Sequence, residues 1–354
     1  MRKRQKSEWM QEEKKIQSPG REMNASSIDG TCSAPFSVDY YLDFLRILLE
    51  YEDFVHVITY DDLAWGDDYA FENGYPDEWS RWLKDRDPER LEVLIQHDVD
   101  SVPQRSWLIG SHEESLGIRS SYMIFNRRIN WRYFKETGEL LFTQYNVDDG
   151  LLSRLSGKGW SVGYHSNALD QARFDDEVGR EIFVRDVNNL RRRFDINYFS
   201  AHGGLRSSEG RTNNQLRPPE LRELGLRWVH NGASPKFHGQ WSDGGLNSQA
   251  IDPEKRDLRS FLQQMKRGNR YRILTHPQYY DGAFDGTGMA VSQARWYADI
   301  SKAYGEGRGD KAWDGVRCHF DALRKGPGKS GFCQRARDRT RRFRSRFVEW
   351  MQKP

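Results

Sequence analysis

The chain has 354 residues, with 55 Lys and Arg against 52 Asp and Glu, a net charge of +3, and 36% hydrophobic and 13% aromatic residues. That length suits one large α/β barrel or two smaller units, and so aromatic a chain under so polar a composition is a folded globular protein, not a disordered one. No apolar run approaches the ~20 residues of a membrane helix. The basic start, Met1–Lys6, leads into no apolar stretch, and Cys32, Cys318 and Cys333 are odd in number and far apart. These features point to a cytoplasmic protein and away from membrane-spanning, secreted and disulfide-framed classes.

Residues 1–36 are polar with isolated apolar positions and read as a disordered or weakly helical tail. Residues 37–90 read as a helix and strand packed on the larger α/β unit that begins at residue 91. Tyr40, Tyr41, Phe44, Leu45, Ile47 and Leu48 recur at helical spacing, and Val55–Thr59 is a short strand. The stretch around Trp65, Trp79 and Trp82 reads as loop, and His56 as a structural histidine.

Leu91–Asp100 is the informative segment. It opens as a buried strand (Val93, Leu94, Ile95) and ends in His97, Asp98 and Asp100. Side chains alternate along a strand, so Asp98 and Asp100 share a face. Two carboxylates so placed repel unless a divalent metal or a shared proton lies between them, or the strand merely runs into a polar turn at Ser101–Pro103. A helix over Gln104–Gly117, with His112 on its solvent side beside Glu113 and Glu114, leads to a strand at Arg119–Phe125. Strand, helix and strand in so short a span make a parallel βαβ unit.

The alternation continues. Leu151–Leu155 reads as a short helix, Trp160–His165 as a strand, Phe174–Phe194 as a helix and Ile196–His202 as a strand. A helix over Pro219–Leu224, a strand at Leu226–His230, a further strand near Asn247–Ile251 and a last one at Tyr271–His276 complete the series. From 282 to 354 the pattern is helical, over Ala290–Tyr304 and Lys311–Leu323, then past the linker Gly326-Pro327-Gly328. Gln334–Trp350 holds seven arginines, with Phe343, Phe347 and Trp350 at i, i+4, i+7. This basic amphipathic helix either packs its aromatics on the barrel or meets an anionic membrane surface through residues 334–350, which fits better than nucleic acid.

Five predicted strands end in a polar ligand type: Asp98/Asp100, His165, His202, His230 and His276. In a parallel sheet these ends gather on one face, and the set has the composition of a metal site. His238 and His319 read as structural or surface residues. The order His97-Asp-Val-Asp100, Gly163-Tyr-His165, Ala201-His-Gly-Gly204, Trp241-Ser-Asp-Gly244 and Leu274-Thr-His-Pro277 resembles the polysaccharide deacetylase superfamily (NodB homology, carbohydrate esterase 4), in its divergent surface-polysaccharide branch, over roughly residues 38–281.

That resemblance implies an α/β fold, a distorted (β/α) barrel of seven to eight strands over residues 91–281 with a helical C-terminal extension. It implies a metal-dependent hydrolase, removing an N- or O-acetyl group from a sugar or glycan intermediate in surface polysaccharide or lipopolysaccharide biosynthesis. The implied cofactor is a divalent metal, Zn²⁺ in the first instance. Asp98 matches the general base, Asp100 and His165 match metal ligands, and His276 matches the histidine that protonates the leaving group. Only Val99 separates the two aspartates, so their roles are exchangeable. The family's second ligand histidine falls on Leu169 here, and His202 is the favoured replacement over Asn167 or Asp170. Asn167, Gly203, Asn214, Trp241 and Tyr279 are the candidate substrate contacts, with a backbone N–H near Gly203 or Gly204 facing the developing oxyanion. Two other readings compete: a D-x-D glycosyltransferase, which leaves the later histidines unexplained, and a non-catalytic glycan-binding relative.

Overall fold

The computed structural model describes residues 38–63, 87–100, 103–216, 221, 223–229, 237–243, 258–277 and 313–325. Its helices are α1 (Val38–Glu50), α2 (Pro103–Leu116), α3 (Trp131–Thr137), α4 (Asp149–Ser156), α5 (Ala168–Gln171), α6 (Asp176–Arg191), α7 (Leu258–Leu262) and α8 (Asp314–Lys325). Its strands are β1 (Val55–Ile58), β2 (Leu91–Val99), β3 (Ser121–Ile124), β4 (Arg127–Ile129), β5 (Phe142–Gln144), β6 (Ser161–Ser166), β7 (Tyr198–Ala201), β8 (Arg227–Trp228), β9 (Gly239–Ser242) and β10 (Arg270–Thr275).

The apolar run of β2 makes it the hub, buried at every position but Glu92. It pairs in parallel with β10 along one edge, and with β1 and then β3 along the other. The full order is β8-β7-β6-β3-β2-β10-β9, every pairing parallel, with β1 beside β2. Side-chain alternation splits the packing in two. Val93 and Ile95 face outward into a core with α1, α7 and α8, which includes Phe44, Leu45, Leu262, Trp313 and Phe320. A second outer core joins Tyr122, Val162, Tyr164 and Phe199 to Leu152, Phe183, Val187 and Leu190 of α4 and α6. Each such side chain contributes on the order of 1.5–3 kcal/mol by leaving water.

The inner face curls. Leu94 of β2 and Tyr198 of β7 belong to one buried cluster with Tyr60, Leu63, Met123, Val229 and Phe237. A flat sheet at about 4.8 Å per strand would hold β2 and β7 roughly 14 Å apart. Gly163 permits the inner packing, because a Cβ there would collide with Met123 Sδ and lie 3.0 Å from Tyr198 O. The barrel expectation is thus met as an α/β half-barrel, a mostly parallel curled sheet with helices outside. β8 and β9 are its two ends, and no pairing closes them among the described residues.

Local signals place the helices. Asp148 accepts from Leu151 N at the start of α4, and Asp175 from Glu177 N and Val178 N at the start of α6. The antiparallel pair β4–β5 was not foreseen, since three-residue strands carry no readable period. Among the described residues the strand before β10 is β9, which was not expected, and the strand expected near Asn247–Ile251 lies outside the described residues. Leu221 and residues 223–225 form turns where a helix was expected. Part of the C-terminal extension is integral to the core, since α8 buries Val316 and Phe320. The 1–36 tail, Trp65, Trp79, Trp82, His230, Tyr279, residues 290–304, the Gly326–Gly328 linker and the Arg-rich segment 334–350 lie outside the described residues. Among the described residues no helix is long and apolar enough to cross a membrane.

Glu113 carried no role in the sequence reading, yet it is fully buried, while its neighbour His112, expected on the solvent side, is half-buried. Its carboxylate accepts from Tyr41 OH at 2.5 Å, Ser120 Oγ at 2.7 Å and Tyr122 OH at 2.9 Å, and lies 2.8 Å from His97 Nε2. His97 Nδ1 in turn meets Thr275 Oγ1 at 2.6 Å, tying β2 to β10 behind the sheet. Burial pushes the Glu113 carboxyl up, but His97, Ser120 and Tyr41 outweigh it and hold the carboxyl below its ordinary 4.5. A depressed folded-state value stabilises above pH 4.5, and that stability is lost as pH falls through the folded value. Glu113→Gln should therefore cost about 3–5 kcal/mol at pH 7. The gap to wild type should narrow below pH 4.5 in thermal melts followed by circular dichroism, and an equal gap at pH 7 and pH 3.5 would contradict the assignment.

Candidate metal centre

Because the strands run parallel, their C-terminal ends bring together side chains far apart in sequence. Asp98 is the penultimate residue of β2, and Asp100, just past its end, lies on the same face. His165 sits near the end of β6, His202 follows β7, Asp243 follows β9 and His276 follows β10. Asp100 is the common neighbour. Its Oδ1 lies 3.2 Å from His165 Nε2, and its Oδ2 lies 3.8 Å from His202 Nε2 and 3.5 Å from His276 Nε2. Asp98 Oδ2 is 3.6 Å from His165 Nε2.

Each side chain is held from behind. His165 Nδ1 meets Ser200 Oγ, its register partner on β7, at 2.8 Å, which turns Nε2 toward Asp100. Phe125 packs against the rings of His165 and His202, each with centroids 5.0 Å away. Asp98 Oδ1 accepts from Gln96 Nε2 at 2.6 Å, and Gln96 Oε1 accepts from Tyr60 OH and from Arg272 Nη1. Asp243, fully buried, receives the His276 backbone N–H at 2.6 Å and faces its Nδ1 at 2.5 Å.

The electrostatics derive from that packing. Burial raises the Asp100 carboxyl, but His202, His165 and His276 overcome it and leave the group well below the carboxylate range. Burial lowers the His276 imidazole, and the Asp243 carboxylate, followed by Asp100 and Asp98, reverses this and pushes it up to about 10. His202 is likewise lowered by burial and raised on balance by Asp100 and Asp170.

One ligand atom from each of Asp100, His165 and His202 lies within 4.8 Å of the other two. Two imidazoles and a carboxylate form the donor set of a first-row divalent ion, with three protein ligands leaving a position open. Asp100 Oδ1 and His202 Nδ1 are buried without a hydrogen-bond partner. Such orphans are rare in folded proteins, and the first of them is what a ligand atom awaiting a cation looks like. The residues therefore fit a divalent metal.

The other sequence candidates fall differently. Leu169 is buried in the outer core with Phe183 and Leu216, so it contributes nothing to the cluster. Its neighbour Asp170 is fully buried beside His202. Asn167 donates to Arg127 O and accepts from Gln171 Nε2, which makes it a brace of this loop in place of the expected substrate contact. Trp241 is corrected outright: only 4% exposed, it packs in the outer core with Ile273 and Tyr271, because its position on β9 points away from the inner face. Gly203 is exposed at the rim, and Asn214 is half-buried with its Oδ1 unpartnered. His238 bonds the backbone of Arg270 and His319 bonds Met265 O, as structural residues do. Asp243 carried no role in the sequence reading. Its signal was its place just after a strand, hidden because the strand itself was expected later.

No family model and no curated protein matches the chain. Among solved structures, it is similar to a family 4 carbohydrate esterase from Bacillus anthracis, at 12% identity over 67% of this chain and 89% of that one, with a TM-score of 0.30. It is similar to a CE4 esterase from Streptococcus mutans at 12% identity over 65% and 88%, with a TM-score of 0.33. A family 4 acetyl xylan esterase from Clostridium thermocellum in complex with a cobalt ion matches at 11% identity over 61% and 85%, with a TM-score of 0.27. At these scores the likeness identifies neither a family nor a function.

Proposed function

We propose that the protein is a metal-dependent deacylase that hydrolyses an N- or O-acetyl group on a sugar or glycan. One observation carries the reading. The Asp100–His165–His202 cluster is flanked by a carboxylate, Asp98, and by an imidazole, His276, that a buried aspartate holds from behind. A base and an acid on either hand of a metal cluster are what hydrolysis of an acyl bond requires. The ordered strand-end motifs of the sequence support the sugar substrate and, in this reading, a place in surface-polysaccharide synthesis. A D-x-D sugar transferase has no use for His165, His202 and His276 on the same face.

Asp100, His165 and His202 would hold the ion, zinc in our reading, which supplies Lewis acidity to the reacting centre. Asp98 takes the proton of the attacking water. Its second oxygen is engaged by Gln96 Nε2, so Oδ2 is the oxygen that faces the cluster. His276 delivers a proton from Nε2 to the leaving amine or alcohol. Asp243 fixes the ring by occupying Nδ1 and favours the imidazolium that can donate.

The test is acetate release from acetylated oligosaccharides together with metal analysis of the purified protein. Chelation should abolish release and zinc should restore it, and Asp100→Asn should lose both metal and activity. Asp98→Asn should keep its metal and lose about 100- to 10,000-fold in rate. A chain that carries no divalent ion, and whose acetate release ignores Asp100→Asn, sinks the proposal in favour of a glycan-binding relative. Asp243→Asn should retain the metal and lower kcat by about 100-fold or more, through a misoriented His276. An unchanged kcat would remove His276 from the role of acid.

A further inference from the structure

We propose that Asp170 is the positioning residue of His202, taking the proton on Nδ1 so that Nε2 is presented to the ion. This rests on the metal reading above.

Asp170 is fully buried, where a carboxylate is rarely found without a partner. Among the described residues its one ion-pair partner is His202, whose Nδ1 stands 3.8 Å from Oδ2. Its remaining support is the backbone N–H of Leu205, at 3.3 and 3.4 Å from the two oxygens. On the other side, His202 Nδ1 is buried and has no hydrogen-bond partner. The two nitrogens of the ring thus face two carboxylates: Nε2 faces Asp100 at 3.8 Å, and Nδ1 faces Asp170. A neutral imidazole carries its proton on one nitrogen only. Only the Nδ1–H form leaves Nε2 free as a ligand, and Asp170 is the acceptor that selects it. The gap is about 1 Å longer than a charge-assisted hydrogen bond. Nδ1 gives up no other bond in closing it.

The loop after β7 is built to bring these groups together. His202 N donates to Ser166 O at 2.8 Å and so extends the strand ladder to the site. The Asn213 side chain clamps both partners, donating to His202 O at 3.1 Å and accepting from Asp170 N at 3.2 Å. Gly204, at φ 42°, lets the backbone pass against the carboxylate. A Cβ there would collide with Asp170 Oδ2 and lie 2.8 Å from Asn213 Nδ2. On α5, Leu169 points into the outer core while Asp170 points to the site, so the helix gives the cluster a carboxylate, not residue 169.

The experiment is titration of metal-stripped protein with Zn²⁺ against a chromophoric chelator, with folding checked by circular dichroism. Four forms are compared: wild type, Asp170→Asn, His202→Ala and the double variant. Asp170→Asn should bind about 10- to 100-fold more weakly than wild type. In the His202→Ala background the same change should cost nothing further, because Asp170 acts only through that ring. Equal affinity of Asp170→Asn and wild type overturns the proposal, and so does an undiminished further loss in the double variant. Should Asp170→Asn fail to fold, long-range ¹H–¹⁵N spectra of the zinc-loaded wild type decide. A proton on His202 Nδ1 supports the assignment, and one on Nε2 overturns it. Failure of the underlying reading looks different. A wild type that takes up no divalent ion overturns both. A His202→Ala variant that binds as tightly as wild type overturns the role of His202 and, with it, that of Asp170, while leaving a site on Asp100 and His165.

Discussion

Successive residues of a strand face opposite sides of a sheet, and on β2 that rule carries both halves of the molecule. Val93, Ile95 and His97 face outward, where the first two fill the core under α1 and the third meets Glu113. Leu94, Gln96 and Asp98 face inward, where they run in order from apolar packing to polar support to the carboxylate beside the candidate metal cluster. A register slip of one residue would send Asp98 to the helices and His97 to the site. What opposes the slip is the buried set of Glu113, Tyr41, Tyr122, Ser120 and Thr275, all of which meet on one imidazole or one carboxylate. The polar network behind the sheet and the polar cluster at its end are two readings of one alternation.

The same register sets the relation between β2 and β10. His97 pairs with Thr275 across the ladder, and their side chains meet on the outer face at 2.6 Å. His276, one step further, therefore turns inward beside Asp100. β9 pairs with β10 through Ser242 and Leu274, so Asp243 arrives next to His276 without any long-range loop to place it. The proposed acid and base and the candidate ligands thus inherit their positions from strands and strand ends, which is the arrangement that precise chemistry favours.

Much of this was legible in the chain. The apolar run ending in His97-Asp-Val-Asp100 announced both a central strand and a polar end. The histidines at 165, 202 and 276 could be placed together because parallel strands leave one direction for their C-terminal ends. What failed to show has physical causes. Glu113 drew no notice because its partners, at 41, 97, 120 and 122, lie outside its helix and leave no trace in it. Trp241 looked like a sugar platform because a strand-end aromatic has the same composition whichever face it takes, and only the register of β9 sends it outward. Asp170 was visible as a residue near the site, but its relation to His202 depends on the left-handed turn at Gly204, which no spacing encodes.

Charge balance then bears on the nature of the centre. Asp98, Asp100, Asp170 and Asp243 gather around three imidazoles, and among the described residues no Lys or Arg forms an ion pair with any of the four. Among the described residues, Arg128 donates to the Asp100 carbonyl, and Arg272 donates to Gln96, Tyr60 and Gln240. Carboxylates gathered in so buried a place need compensating positive charge. Protons on the imidazoles are one source, and a divalent ion is the other. The two compete, because a histidine that ligates through Nε2 cannot carry a proton there. His276 is not one of the three clustered ligands, and its Nδ1 is engaged by Asp243. On the proposed reading, a cation held by Asp100, His165 and His202 would supply that charge at the ligand nitrogens, while Asp243 stays on Nδ1 of His276.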